Sequence, residues 1–141
     1  MTGKEALEDI RRTNAEVDAL LAYRNSLLDR LIGGYDMTRP HVQEQMDSKV
    51  ERSAIRWLEV TEDIDRKTDE LIDKRNLILG YIERLEDRRY RDILMRRYAE
   101  CQSWDKVAEL CIYSRQRVWQ LHREAVEAFE AVYGNMLHRF T

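Results

Sequence analysis

Apolar residues in the first quarter of the chain recur in steps of four and three. Ile10, Asn14, Val17, Leu21, Arg24, Leu28 and Leu31 follow this alternation, with Asn14 and Arg24 as its two polar members. Such spacing marks a helix whose one face packs along another helix. Leu7, Leu20 and Leu27 widen the stripe, so more than one neighbour can touch it. "IGGYD" ends the run, since paired glycines suit a helix terminus and a change of direction. "DMTRPHVQEQMDS" reads as a connector, because Pro40 opposes continuous helix. From Ser48 the alternation resumes through Val50, Ala54, Trp57, Thr61, Ile64, Thr68, Leu71, Arg75, Ile78, Ile82 and Leu85. Helices over 5–33 and 48–86 would be about 43 and 58 Å long, at about 1.5 Å per residue. The simplest arrangement folds them back as an antiparallel pair.

A shorter rhythm follows. In "RDILMRRYAECQ", Ile93, Leu94, Tyr98 and Cys101 suit one short helix. Ser103 is a good N-cap for a helix Trp104–Cys111, with Val107, Ala108 and Cys111 facing inward. "IYS" predicts a turn and Ser114 a second N-cap. Val118, Leu121, Ala125 and Phe129 then stripe the last helix. Trp57 reads as core, and Trp104 as packing against the Arg88–Tyr98 helix. The expected fold is all-α: an N-terminal antiparallel, coiled-coil-like helical hairpin over 1–86, a helix-turn-helix domain over 87–133, and a tail over 134–141.

Two helices bury little apolar surface alone. The hairpin is therefore expected to self-associate, most simply as a dimer that completes a four-helix bundle. The seam residues Ile10, Val17, Leu21, Leu28, Leu31, Trp57, Ile64, Leu71 and Ile78 would carry that contact. Asn14, Arg24 and Arg75 either select its register or sit at an exposed end of it.

Composition agrees with helices. Of 141 residues, 43% are hydrophobic and 36% charged, with five glycines and one proline. Cys101 and Cys111 have no Cys/His pair nearby, which points to buried free thiols in a reducing, cytoplasmic setting. The charged start "MTGKEALEDI" is unlike a secretory signal, and no apolar run nears membrane-spanning length. His41, His122 and His138 are too scattered for a metal site. Packing beside the preceding helix is the expected role of His122, with a phosphate as its other candidate contact. Neither G-x-S-x-G nor a phosphate-binding loop occurs. Carboxylates such as Glu62 and Asp63 lie among countercharges. The expectation is therefore no enzyme, no cofactor, no metal, no membrane and no small-molecule substrate.

The net charge of −3 conceals an asymmetry. Residues 1–86 carry 14 Lys/Arg against 19 Asp/Glu, whereas residues 87–141 carry 10 against 8. Arg88, Arg89, Arg91, Arg96 and Arg97 face only Asp92, and no acid falls between Ile112 and Arg123. An acidic part joined to a locally basic one points to a polyanion partner for the second part. Off the last helix's apolar stripe stand Arg115, Gln116, Trp119, Gln120 and Arg123. Arginine pairs with guanine O6/N7 and glutamine with adenine N6/N7 in the major groove. Arg115, Gln116 and Gln120 are the candidate base contacts. Ser114, Arg117, Trp119, Arg123 and the arginines 88, 89, 91, 96 and 97 are candidates for the DNA backbone. By pattern alone, the same residues also fit an ordinary solvated helix face, and Trp119 also fits packing onto the hairpin.

The stretch "SWDKVAELCIYSRQRVWQLHREAVEAF" resembles the helix-turn-helix of sigma factor region four, which reads the −35 promoter element. The whole chain is similar to the phage-encoded ArpU/RinA-like late transcription regulators. The resemblance rests on "VQ" at Val42 and Gln43, on "YIERLEDRRYRDILMRRYAECQSW", and on Val107, Ala108, Tyr113, Ser114, Val118, Leu121, His122 and Ala125. It is most specific from Leu85 to Phe129. It implies a transcriptional regulator of phage or prophage genes in a bacterial host cytoplasm, with double-stranded DNA as partner and RNA polymerase as a further candidate. By the same resemblance, Arg115, Gln116 and Gln120 fall where promoter bases are read. One position departs: Ile112 stands where the turn usually holds Gly or Asn, and a β-branched residue disfavours positive φ. Two other readings compete. A small-terminase-like DNA-packaging subunit would form a ring of eight or more copies. A sigma- or polymerase-binding protein would not read DNA at all.

Overall fold

The computed structural model describes residues 1–33 and 43–140, with the side chains of 32–33, 43–47 and 136–140 left aside. The connector read around Pro40, His41 and Val42 lies outside the described residues, as do the side chains of Gln43 and His138. Among the described residues there are five α-helices, one π-helical turn and no strand, and the protein is all-α. The helices are α1 (Gly3–Gly33), α2 (Gln43–Ile82), α3 (Arg88–Leu94), α4 (Trp104–Cys111) and α5 (Arg115–Phe140). The π turn, Met95–Ala99, continues directly from α3.

Helix ends follow the local chemistry. Thr2 and Glu5 form a capping box: the Glu5 N–H donates to Thr2 Oγ1 at 3.1 Å, and the Thr2 N–H donates to Glu5 Oε2 at 3.0 Å. This carries α1 two residues ahead of the expected start. α2 stops at Ile82 rather than Glu86, and Asp87 caps α3 by accepting from the Arg89 N–H. Leu85, the last member of the alternation, is buried although it lies outside the helix. Ser103 Oγ accepts from the Lys106 N–H and Ser114 Oγ from the Arg117 N–H, so both serines cap as expected. α5 continues through position 133 to Phe140, so the stretch expected as a tail is helical to that residue.

The chain forms two compact units. One comprises Met1–Asn14 with Leu71–Thr141, the other Ala15–Glu70. In the second, Glu16 meets Lys67 and Arg24 lies over Trp57, so rising numbers on α1 meet falling numbers on α2 and these stretches run antiparallel. Leu27, Val60 and Ile64 form the core there, flanked by Leu20, Leu21 and Trp57. In the first unit, Leu7, Ile10, Ile78, Ile82, Ile93, Leu94, Tyr98, Leu121 and Phe129 are buried. Gly3 lies against the Phe129 ring, where an added Cβ would come within 3.0 Å.

The seam residues expected to meet a second copy are largely spent inside the chain. Ile10, Val17, Ile64, Leu71 and Ile78 are buried, and Leu21, Leu31 and Trp57 are half-buried. Leu28 alone of the set is exposed. For the five buried members, the 4-3 rhythm records packing of a helix against its own chain. A side chain buried that way has no face left for a partner. Of the polar seam members, Arg75 Nη2 donates to Asn14 Oδ1 at 3.3 Å, inside the first unit.

Candidate nucleic-acid interface

α4 and α5 meet through Val107, Ala108 and Val118, with Trp104 and Cys111 beside them. The small Ala108 permits close approach, and α3 and α4 both pack against α5. The connection runs through Ile112, whose φ of 59° and ψ of 43° are left-handed. The Tyr113 N–H donates to Ala108 O at 3.1 Å and the Ile112 N–H to Glu109 O at 3.3 Å. These two bonds are the Schellman pattern that glycine usually completes. Ile112 completes it with its side chain in solvent, at 89% exposure, so the left-handed turn forms without glycine or asparagine.

α5 therefore starts at Arg115 with a defined cap, and no acid lies in its first turn. Arg115, Gln116, Arg117, Trp119, Gln120 and Arg123 are all exposed, whereas Val118, Leu121, Ala125 and Phe129 are buried. The apolar and polar faces of α5 fall where the spacing puts them. Arg115 Nη1 lies 2.9 Å from Asp105 Oδ1, and Arg117 Nη1 donates to Gln120 Oε1 at 3.5 Å. Ser114 caps the helix while remaining exposed.

The arginines before α4 separate into different roles. Arg88 is exposed. Arg89 grips Asp87, donating through Nη2 at 2.9 Å and Nε at 3.2 Å, and this pairing holds the Asp87 carboxyl below its usual range. Arg91 donates to Leu85 O and to Glu86 O, tying α3 to the end of α2. Arg96 is half-buried. Arg97 stands 4.0 Å above the Trp104 ring and donates to Gln102 O at 3.0 Å. Desolvation, and then the charge of Arg11, depress its pKa. Arg91 and Arg97 thus hold backbone and rings inside the protein, which leaves their guanidinium groups little freedom to reach a phosphate.

Three rings organise the junction of α4 and α5. Trp104 meets the His122 ring edge-on at 4.6 Å and Trp119 at 5.6 Å. His122 Nε2 lies 2.7 Å from the Tyr98 hydroxyl. Burial, reinforced by the charges of Arg97 and Lys4, lowers the His122 pKa to about 4. Burial, with Glu8 beside it, raises that of Tyr98. His122 therefore packs beside α4 as a neutral ring. Trp119 joins this ring cluster while staying 54% exposed, so one face remains for solvent or a ligand. Tyr90 O–H donates to Glu124 Oε2 at 3.0 Å and links α3 to α5. Two residues of this region escaped the sequence reading. Asp105 was legible as an acid in the turn after one N-cap, opposite an arginine after the next. Tyr90 carried no periodic signal.

Among the described residues, no group of three or more His, Cys, Asp or Glu side chains could hold a metal ion, and no helix is long and apolar enough to cross a membrane. Cys101 and Cys111 are free thiols, both half-buried. Residues 31–130 match the family described as "Protein of unknown function (DUF1492)". The chain belongs to this family. The matched span takes in all of α2, α3 and α4 and α5 as far as Glu130. Every residue of the candidate interface thus lies within the family's own boundaries. No curated protein and no solved structure gives a significant match to the chain.

Proposed function

We propose that this member of the family is a sequence-reading, DNA-binding transcriptional regulator of phage or prophage genes. In this reading α4 and α5 are a helix-turn-helix, and α5 enters the major groove. One observation carries it: from Arg115 to Arg123, α5 exposes Arg115, Gln116, Arg117, Trp119, Gln120 and Arg123 together with no acid in that stretch, on a helix whose other face is packed through Val118, Leu121 and Ala125. A solvated helix of this chain would be expected to mix signs, as α2 does with Arg56 against Glu59 and Arg66 against Asp63. The likeness to sigma factor region four and to the ArpU/RinA-like regulators supports the same assignment.

Arg115, Gln116 and Gln120 read base edges in this mechanism. Arg88, Arg117, Arg123 and the capped N-terminus at Ser114 fix the helix on phosphates, and Trp119 lies against the backbone. Arg91 and Arg97 support the domain from within. In this reading residues 87–133, which share a compact unit with Met1–Asn14 and the chain from Leu71, bind DNA, and the helices of 1–86 serve self-association through surface other than the buried seam. The direct test is selection of bound sites from a random duplex pool at about 0.15 M salt, where non-specific binding has largely faded. Wild type should enrich a motif that an Arg115→Ala/Gln116→Ala/Gln120→Ala variant loses, while the variant keeps weak, salt-sensitive binding. Absence of any enriched motif overturns the proposal.

A second reading draws on a different observation. Leu110, Ile112 and Tyr113 are exposed around the α4–α5 connection, which suits a protein partner such as a sigma factor or polymerase subunit. That reading predicts a complex that forms without DNA and is indifferent to Arg115 and Gln116.

A further inference from the structure

Arg115 is the first residue of α5, and Asp105 is in the first turn of α4. Their side chains cross between the two helix starts, Arg115 Nη1 to Asp105 Oδ1 at 2.9 Å. Arg115 also lines a small cavity of about 50 Å³ with Trp104, Val118 and Trp119. Arg115 thus shares a cavity wall with two indole rings and a buried valine while its head meets a carboxylate. A long cationic side chain normally samples many rotamers, and fixing them on binding costs free energy. The two side chains are 67% and 78% exposed, so the ion pair biases the Arg115 rotamers without locking them.

That bias also bears on what the head can recognise. The contact to Asp105 engages Nη1, and the neighbouring Nη2–Nε edge presents two parallel donors. Two parallel donors match O6 and N7 of guanine, the most common specific arginine contact in the major groove. Asp105, in turn, repels phosphate oxygens, so it discourages a pose in which Arg115 is drawn aside to the backbone. We infer that Asp105 is a specificity-determining residue of the DNA site, holding Arg115 to read a G·C pair at the position it faces. This inference rests on the DNA-reading proposal above. Asp105 does not contact DNA in this scheme; it acts through Arg115 as a positioning residue.

The experiment compares wild type, Asp105→Asn, Asp105→Glu and Arg115→Ala on random-pool selection. Each is then titrated against the selected duplex, a copy altered at the guanine position, and an unrelated duplex. Wild type is expected to prefer guanine there by about tenfold, and Arg115→Ala to lose the preference. Asp105→Asn should lose most of it too, yet bind the unrelated duplex more tightly and with a steeper salt dependence, because a freed Arg115 reaches phosphate. Asp105→Glu, which keeps the carboxylate, should retain the preference. A purely structural role for Asp105 would lower thermal stability without changing which base is preferred. If Arg115→Ala loses the guanine preference but Asp105→Asn keeps it, the inference fails and the DNA-reading proposal stands. If wild type selects no motif, both fail.

Discussion

The Tyr98 hydroxyl and His122 Nε2 lie 2.7 Å apart inside the first unit, both side chains almost wholly removed from solvent. His122 Nδ1 is buried with no partner among the described residues. An orphaned N–H is costlier than an orphaned lone pair. The arrangement that avoids it has Nε2–H donating to the Tyr98 oxygen and Tyr98 O–H donating on to Glu8 Oε1 at 3.5 Å. A proton added at Nδ1 would be both buried and unpaired.

This pair makes the fold acid-sensitive. The His122 pKa falls from its ordinary 6.5 to about 4, burial being the main cause. With the folded value depressed, the unfolded chain binds the extra proton first as pH drops, so stability rises with pH through this window. The stability associated with neutral His122 is fully present above about pH 6.5 and is lost as pH falls toward 4. The full shift corresponds to about 3 kcal/mol, and the solvent that still reaches the ring reduces this to about 2. Urea unfolding of wild type and His122→Gln at pH 7 and pH 4.5 should show the gap between them narrow by that amount. An unchanged gap would mean that His122 is not held neutral.

Ile112 offers a gain of stability. A residue with a Cβ in the left-handed region is strained by roughly 1–2 kcal/mol, and at 89% exposure its side chain has almost no packing to lose. Ile112→Gly removes the strain, while glycine's freedom in the unfolded chain takes back roughly 0.5–1 kcal/mol. A net rise of about 0.5–1 kcal/mol is expected, and Ile112→Val should show none. Calorimetry of the two variants beside wild type measures it. Equal melting temperatures for all three would show the turn to be unstrained.

How much of this was legible follows from what each signal encodes. Val107, Ala108, Val118, Leu121, Ala125 and Phe129 were read as inward-facing and are buried, because burial on one helix face imposes a period that survives in sequence. Ser103 and Ser114 were legible because capping is local chemistry. The partner of the α1 and α2 seam was not, since spacing says that a face is covered and not by what. Nor was the division of labour among the arginines. Arg88 is exposed and Arg97 stacks on Trp104, but one-letter code gives both as basic residues on a short helix. The expected packing of Trp104 on the segment before it and of His122 beside α4 is found, with Arg97 over Trp104 and Trp104 against His122, whereas the π turn at Met95–Ala99 and the Tyr98–His122 pair left no periodic signal.

That division yields a test on paired arginines. Arg97→Gln loses the ring contact and the bond to Gln102 O, and should destabilise the fold by about 1–2 kcal/mol. It should leave the salt dependence of DNA binding at its wild-type slope. Arg117→Gln should do the reverse: near-neutral for stability, with the slope lowered by about one counterion. Thermal melts and titrations at several salt concentrations separate the two. A lowered slope for Arg97→Gln would return that residue to the DNA backbone.

Leu27 and Leu28 are neighbours in sequence and opposites in environment, at 4% and 41% exposure. Leu27 packs with Val60 and Ile64 in the core of the second unit, so Leu27→Ala removes a buried side chain and leaves a void. Its expected cost is about 2–4 kcal/mol. Leu28→Ala gives up contact mostly with solvent and should stay within about 0.5 kcal/mol unless a second copy covers it. The pair therefore measures self-association as well as packing. Denaturation of both variants at low and high protein concentration, with sedimentation of each, reads the two effects separately. A Leu28→Ala penalty that grows with concentration, together with loss of an associated species, would place Leu28 in a contact between copies. A concentration-independent result for Leu28→Ala would remove from any role in assembly the one exposed residue of the nine positions expected to meet a second copy.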